Sequence, residues 1–254
     1  MSRPGTGFLG AVQFLTRVPL RLGAPVDHAR TVPWFGVVGL LIGAAAGGAA
    51  AGLSHLVPAG VAAACAVIVG LSITGAFHED GLADVADAFG GGSTVERRLE
   101  ILKDPRHGTY GVAALSSSIV VRVVCVASIA APSAAFAALV AAHTLGRTSA
   151  VAAMRAGPPA ADSGLGVSAS RSLKLVPTTI GLTVAIGGVV VASGWWVLPF
   201  IGAAIVGTAA TVTLAVRKIG GLAGDVLGAV EQVVECLVLV VASGLAMRHD
   251  VWWH

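Results

Sequence analysis

The sequence predicts an all-α protein that crosses a membrane several times, and three observations carry that prediction. Hydrophobic residues make up 56% of the 254-residue chain, charged residues only 11%, and the mean hydropathy is +0.87; soluble domains carry about 25% charged residues. Several apolar runs reach the roughly 20 residues that a helix needs to cross a bilayer. All five tryptophans fall at or just beyond the ends of those runs, where amphipathic rings favour the headgroup zone. This composition excludes a soluble domain, a nucleic-acid-binding module and a disulfide-stapled secreted fold. Cys65, Cys125 and Cys236 each stand alone in an apolar stretch, without C-x-x-C spacing, and read as small core residues.

Seven spans follow in order within one integral-membrane domain covering residues 1–254: 34–56, 59–77, 111–131, 133–154, 176–193, 195–216 and 226–247. Each is a helix because a lipid-embedded backbone must satisfy its own hydrogen bonds. Val57-Pro58, Pro132 and Gly194 make tight turns, whereas the connections 78–110, 155–175 and 217–225 are longer, polar and all on one side. That side, with residues 1–33, carries 13 of the 16 basic residues; Arg122 and Arg147 lie within spans, and Arg248 lies opposite. The positive-inside rule therefore makes the N-terminus and the long connections cytoplasmic. Residues 7–18 read as an amphipathic helix on the membrane surface. Gly39, Gly43, Gly47 and Ala51 recur every four residues along the first span, a spacing that lets helix backbones approach closely.

Seven of the 13 acidic residues crowd into residues 79–104. Asp80, Asp84 and Asp87 stand at i, i+4 and i+7, which puts three carboxylates on one face of a helix whose other positions are apolar. Like charges so placed repel, and a divalent cation relieves them; an all-oxygen set suits Mg²⁺ or Mn²⁺ better than zinc. Downstream, Lys103-Asp104-Pro105-Arg106-His107-Gly108-Thr109-Tyr110-Gly111 makes a tight basic turn into the third span, and free N–H groups at such a helix start can bind phosphate. Gly220-Gly221-Leu222-Ala223-Gly224-Asp225 repeats the arrangement before the last span, with Asp225 open to an N-cap reading as well. His143, inside a span, reads as a buried hydrogen-bonding residue. Carboxylates and basic turns on one membrane face point to metal-assisted phosphoryl transfer, in which an aspartate takes the proton of an attacking alcohol.

The cluster His78-x-Asp80-Gly81-Leu82-Ala83-Asp84-x-x-Asp87 closely resembles the signature of the cobalamin-5′-phosphate synthase family, also called adenosylcobinamide-GDP ribazoletransferases. Further matches follow in order: Phe14-Leu15-Thr16-Arg17-Val18-Pro19, Asp104-x-Arg106-x-Gly108-Thr109-x-Gly111, Gly146-Arg147, and Gly224-Asp225-x-x-Gly228-Ala229 with Glu235. The resemblance implies a multi-pass enzyme of the bacterial cytoplasmic membrane, with its active site on the cytoplasmic face. It would join α-ribazole, or α-ribazole 5′-phosphate, to adenosylcobinamide-GDP with release of GMP, and it would need Mg²⁺. Carried onto this chain, Asp80, Asp84 and Asp87 would bind the metal, and one of them, or Asp104 or Asp225, would be the base. Lys103, Arg106 and Arg147 would hold phosphates, and Arg17, His78, Gly108, Gly224 and Glu235 complete the substrate-binding set. Its partners would be those two substrates and the lipid bilayer, with room for a homo-oligomer and no role for nucleic acid. Residues 158–175 match nothing in the family pattern. A CDP-alcohol phosphotransferase shares the chemistry but shows D-G-x-x-A-R followed by two more aspartates; a secondary transporter would set its charges near the bilayer midplane.

Depth arithmetic adds an expectation. Arg122 lies about 16 Å along the third span from Gly111, and Glu235 about 15 Å along the last from Asp225. An isolated charge at that level costs at least about 2.5–3.5 kcal/mol, so the two are expected to pair and to make neighbours of their helices. Arg147 and Glu231 match at a shallower level, nearer the catalytic floor.

The sidedness is open to a direct test. A Ser93→Cys variant, in a background without the native cysteines, should resist a membrane-impermeant thiol reagent in intact cells and react in inverted vesicles. Labelling in intact cells would put the 78–110 connection on the outer side.

Overall fold

The computed structural model describes residues 6–20, 22, 27–160 and 175–251. Helix α1 (Thr6–Leu15) precedes the short α2 (His28–Thr31), whose start is capped by Asp27 accepting from the Ala29 N–H at 3.1 Å. A 3-10 turn over Val32–Trp34 leads straight into α3 (Phe35–Leu53). Then come α4 (Ala59–Thr74), α5 (Phe77–Gly91), α6 (Val95–Ile101), α7 (Thr109–Ser128) and α8 (Pro132–Ala156). The last three are α9 (Leu175–Ser193), α10 (Val197–Ile219) and α11 (Gly224–Ala246). No strand occurs among the described residues.

The seven apolar stretches of the sequence are α3, α4 and α7–α11. By length and hydropathy alone, four stretches could cross a membrane: His28–Leu53, Thr109–Ser128, Leu175–Ile219 and Gly224–Ala246. The pair α4 and α5, bent by 91°, makes a fifth if taken as one. Helix α8 is not among them; it carries His143, Thr144 and Arg147, all buried. The 45-residue stretch Leu175–Ile219 is two helices. Gly194 breaks it with φ +56°, and both α9 and α10 pack along α8. A straight helix of that length would run about 68 Å, well past the roughly 38 Å of the 25-residue α8.

Helix α8 is the centre of the bundle, contacting α3, α9, α10 and α11. Its closest neighbour is α3, and the spaced glycines explain why. A Cβ at Gly43 would come 2.6 Å from Val140 Cα, and one at Gly47 3.0 Å from Phe136 Cα. Only hydrogen fits there, so the small-residue stripe is the α3–α8 contact. Helix α1 buries Ala11 and Leu15 against Val32, Phe35 and Val38, which fixes it to the start of α3. Trp196 departs from the interfacial expectation. The 3-10 turn Gly194–Trp196 points it inward, fully buried and edge-on to Phe200, while Trp195 stays half exposed. Trp252 and Trp253 lie outside the described residues.

The feature that positions the site is the elbow between α4 and α5. Gly75 (φ +67°) and Ala76 (φ +57°) are both left-handed, and their N–H groups fold back onto the Leu71 carbonyl at 2.7 and 3.1 Å. Ala76 is the one non-glycine residue with positive φ among the described residues, a conformation that costs an L-residue about 1–2 kcal/mol. Arg17 braces the turn: its N–H donates to the Ile73 carbonyl at 2.7 Å, and its side chain lies where a Gly75 side chain would be.

The α3–α8 contact makes a prediction. Gly43→Leu should cost at least about 1–3 kcal/mol through overpacking and lower the folded yield in detergent. Gly48→Ala, which meets nothing within 4 Å, should leave yield and melting temperature unchanged.

Candidate active site

Helix α5 lies across the N-terminal ends of α7 and α11. Gly81 has no room for a side chain, because a Cβ there would sit 2.8 Å from the Asp225 carbonyl oxygen. This close approach gathers Asp80 and Asp84 of α5 with Asp225 in the first turn of α11. His107, on the turn before α7, bridges the first two: Nε2 is 3.3 Å from Asp80 Oδ1, and Nδ1 is 3.3 Å from Asp84 Oδ1. Partial burial and the neighbouring carboxylates of Asp80 and Asp225 push the Asp84 carboxyl up to about 6.

Asp87 departs from the expected trio. Its carboxylate accepts from the Gly108 N–H at 2.6 Å and the Gly111 N–H at 2.9 Å. It thus caps the α7 N-terminus from another helix, where the helix dipole favours an anion. The amides expected to bind a substrate phosphate at Gly108 are taken by the protein's own carboxylate. Asp104 is likewise engaged: Arg106 donates to it from Nε at 2.9 Å and from Nη2 at 2.7 Å. These bonds hold its carboxyl down to about 2, which makes it a poor proton acceptor. Lys103 and Arg106 are exposed on this turn, and Arg17 is exposed beside the elbow.

Beside the carboxylates opens a cavity of about 190 Å³. Asp80, His78, Gly224, Asp225 and Arg147 contribute its polar lining. Phe14 and His28 from the N-terminal segment, Phe35 of α3, Phe77 of α5 and Ala150 and Met154 of α8 contribute most of the rest.

Beneath the cavity is a buried charge network. Arg147 Nη1 is 2.7 Å from Glu231 Oε1 and donates to Glu235 Oε1 at 3.0 Å and to the His143 carbonyl at 2.9 Å. His143 Nδ1 meets the same Glu235 oxygen. Arg122 Nη1 donates to Glu79 Oε1 at 2.9 Å and to Glu235 Oε2 at 3.3 Å. Gln232 Nε2 donates to Glu79 Oε1 (3.1 Å) and Glu231 Oε2 (2.9 Å), and its own oxygen accepts from Ser118 (2.9 Å). His143, Glu231 and Glu235 lie close enough together to hold a metal ion, but Arg147 Nη1 sits among all three and supplies the positive charge itself.

With this geometry in hand, comparison with known proteins is decisive. A profile of the cobalamin-5-phosphate synthase family matches residues 7–243. The chain belongs to that family. Among its relatives, the adenosylcobinamide-GDP ribazoletransferase of Bradyrhizobium diazoefficiens is 39% identical over 93% of each chain. Those named likewise from Vibrio cholerae and Shewanella frigidimarina are 32% and 35% identical, over 96% and 94% of this chain and 95% of each relative. No solved structure matches the chain significantly.

The pairing expected from depth is present: Arg122 reaches Glu235, Arg147 reaches Glu231, and α7 lies beside α11. Two residues escaped the sequence reading. Glu79 stands one position off the carboxylate stripe and so seemed peripheral, yet it is buried and shared by Arg122 and Gln232. His107 lies inside the basic turn, but only the fold brings it to Asp80 and Asp84.

Glu79→Gln and Arg122→Met should therefore each lower the folded yield, with the double variant losing less than the sum. A coupling of about 0.5–3 kcal/mol is expected in the cycle; strictly additive losses would mean that the two do not interact.

Proposed function

We propose that this chain is an adenosylcobinamide-GDP ribazoletransferase, working at the cytoplasmic face of a seven-span bundle in the bacterial inner membrane. The observation that carries the chemistry is the placing of Asp80 and Asp225 on one cavity, beside Asp84. The basic residues on the connections at that end support the sidedness. In the reaction, a ribose hydroxyl of α-ribazole or its 5′-phosphate attacks the cobinamide-side phosphorus of adenosylcobinamide-GDP. The bond to the GMP oxygen breaks, and GMP leaves.

The residues fit a magnesium ion. Asp80, Asp84 and Asp225 form an all-oxygen set with surplus negative charge, and the His107 ring lies against two of them. Asp80 and Asp84 would hold the ion, with Asp225 beside it. Bound there, Mg²⁺ would neutralise the diphosphate and stabilise charge on the leaving phosphate. Asp225, in the cavity and free of the Arg106-type clamp that disables Asp104, is suited to take the proton of the attacking hydroxyl. Lys103 and Arg106 lie outside the cavity, where they can meet the nucleotide phosphates. Arg147 and Glu235 set the floor, and His78 and Gly224 line the walls. Asp87 acts by holding the turn that carries His107.

The reading is tested by Mg²⁺-dependent GMP release from adenosylcobinamide-GDP and α-ribazole by the purified protein in nanodiscs; no release beside an active control would overturn it. A second test follows from Asp84. Its carboxyl is raised in the folded protein, so ionising it opposes folding as pH rises through about 6. Mg²⁺ should relieve that cost, raising the melting temperature more at pH 7.5 than at pH 5. Asp84→Asn should abolish this difference and reduce turnover by about 10²-fold or more. An equal Mg²⁺ effect at both pH values would remove Asp84 from the metal site.

A further inference from the structure

The cavity is built in two parts, and this division carries an inference about which substrate enters it. One part is aromatic. Phe14 stacks on Phe35 with centroids 5.5 Å apart and planes within 10°, and it meets Phe77 edge-on at 5.5 Å and His28 edge-on at 5.9 Å. All four rings line the cavity, and Phe77 is half exposed. The other part is the carboxylate end, with Asp80 and Asp225.

We infer that the acceptor nucleoside enters this cavity base first, its apolar bicyclic ring against Phe14 and Phe77, and that the guanine of the donor stays outside. The inference rests on the transferase reading above. Three observations support it. First, the volume of about 190 Å³ falls below the about 300–1,000 Å³ of sites that enclose a drug-sized ligand, so the space suits one ring system and not a corrinoid nucleotide. Second, a guanine carries an amide and an amino group that need partners when buried. The aromatic end offers these donors only the His28 ring, and the acceptors Asp80 and Asp225 stand at the other end. A benzimidazole edge makes far smaller demands, and aromatic walls accept its faces and edges. Third, the cavity is continuous from the rings to Asp80 and Asp225, so a base seated on the rings directs its ribose hydroxyls toward the carboxylates. Phe14 and Phe77 are thereby specificity-determining residues for the acceptor.

The experiment measures each substrate separately. In nanodiscs with Mg²⁺, Phe77→Leu and Phe14→Leu should raise the Kd and KM for α-ribazole about tenfold, at the lower part of the range for loss of a base–aromatic contact. The KM for adenosylcobinamide-GDP should stay at its wild-type value. The preference for α-ribazole over an α-riboside of a purine should shrink in the same variants, a change that simple loosening of the fold would not produce. Because Phe77 is half exposed, its variant is expected to remain monodisperse even if Phe14→Leu does not. A raised KM for adenosylcobinamide-GDP with unchanged α-ribazole binding would overturn the inference and seat the donor base here, while leaving the transferase reading intact. Wild-type protein that neither binds α-ribazole nor releases GMP would overturn both.

Discussion

Two arginines and three glutamates, buried between α5, α7, α8 and α11, are the interaction on which the rest of the bundle depends. None of these charges can stay alone in an apolar interior, and removing one partner of a buried pair leaves an uncompensated ion at a cost of about 3–5 kcal/mol. Glu235 is the junction. It receives both Arg122 and Arg147 and meets His143, so one side chain ties three helices together. Glu231 and Gln232, on the same helix, extend the tie to Arg147, Ser118 and Glu79. The network is demanding in a way that apolar packing is not, because its partners must meet within hydrogen-bond reach. It therefore sets the register of α11 against α7 and α8, and the apolar contacts fill in around it.

That register is what the carboxylates of α5 inherit. Glu79 anchors the start of α5 to Arg122 below, while Asp87 anchors its far end to the amides of α7. Held at both points and turned by the Gly75-Ala76 elbow, α5 has little freedom to rotate. Asp80 and Asp84, between the anchors, face His107 and the first turn of α11 as a consequence. Two acids of the same short helix thus serve as anchors and two face His107 and the start of α11, and the difference is set by the direction in which each points.

The legible part of this arrangement was whatever depends on chain-local properties. The helices could be placed from hydropathy, since each span must satisfy its own backbone. The stripe Gly39-Gly43-Gly47 announced a close contact but not its partner, because glycine spacing marks a face without saying what meets it; the structure names α8. Equal depth from a common side was enough to pair Arg122 with Glu235. What could not be read was direction about the helix axis at the ends of α5. The i, i+4, i+7 rule groups Asp87 with Asp80 and Asp84, but Asp87 alone accepts from the Gly108 and Gly111 amides, which draws it away, while Asp80 and Asp84 meet His107 of the same turn. Glu79 was misjudged for the same reason: its partners lie 43 and 153 residues distant in sequence. Trp196 shows the limit of the tryptophan rule, since a three-residue 3-10 turn decides whether a ring faces the interface or the core.

The chain order of the charge network has a consequence for biosynthesis. Arg147 is separated from Glu235 by 88 residues and Arg122 by 113. At about 5–20 residues per second, a ribosome needs roughly 4–18 s to make the 88 residues. During that interval Arg122 has only Glu79 of the earlier α5, and Arg147 has neither of its carboxylates. Until α11 arrives, Arg147 must be sheltered by water, by lipid headgroups or by the insertion machinery. Helix α11 then does more than complete the bundle; its arrival neutralises Arg147 and completes the pairing of Arg122, and a chain stalled short of Glu231 would be held as an unfinished, charged intermediate.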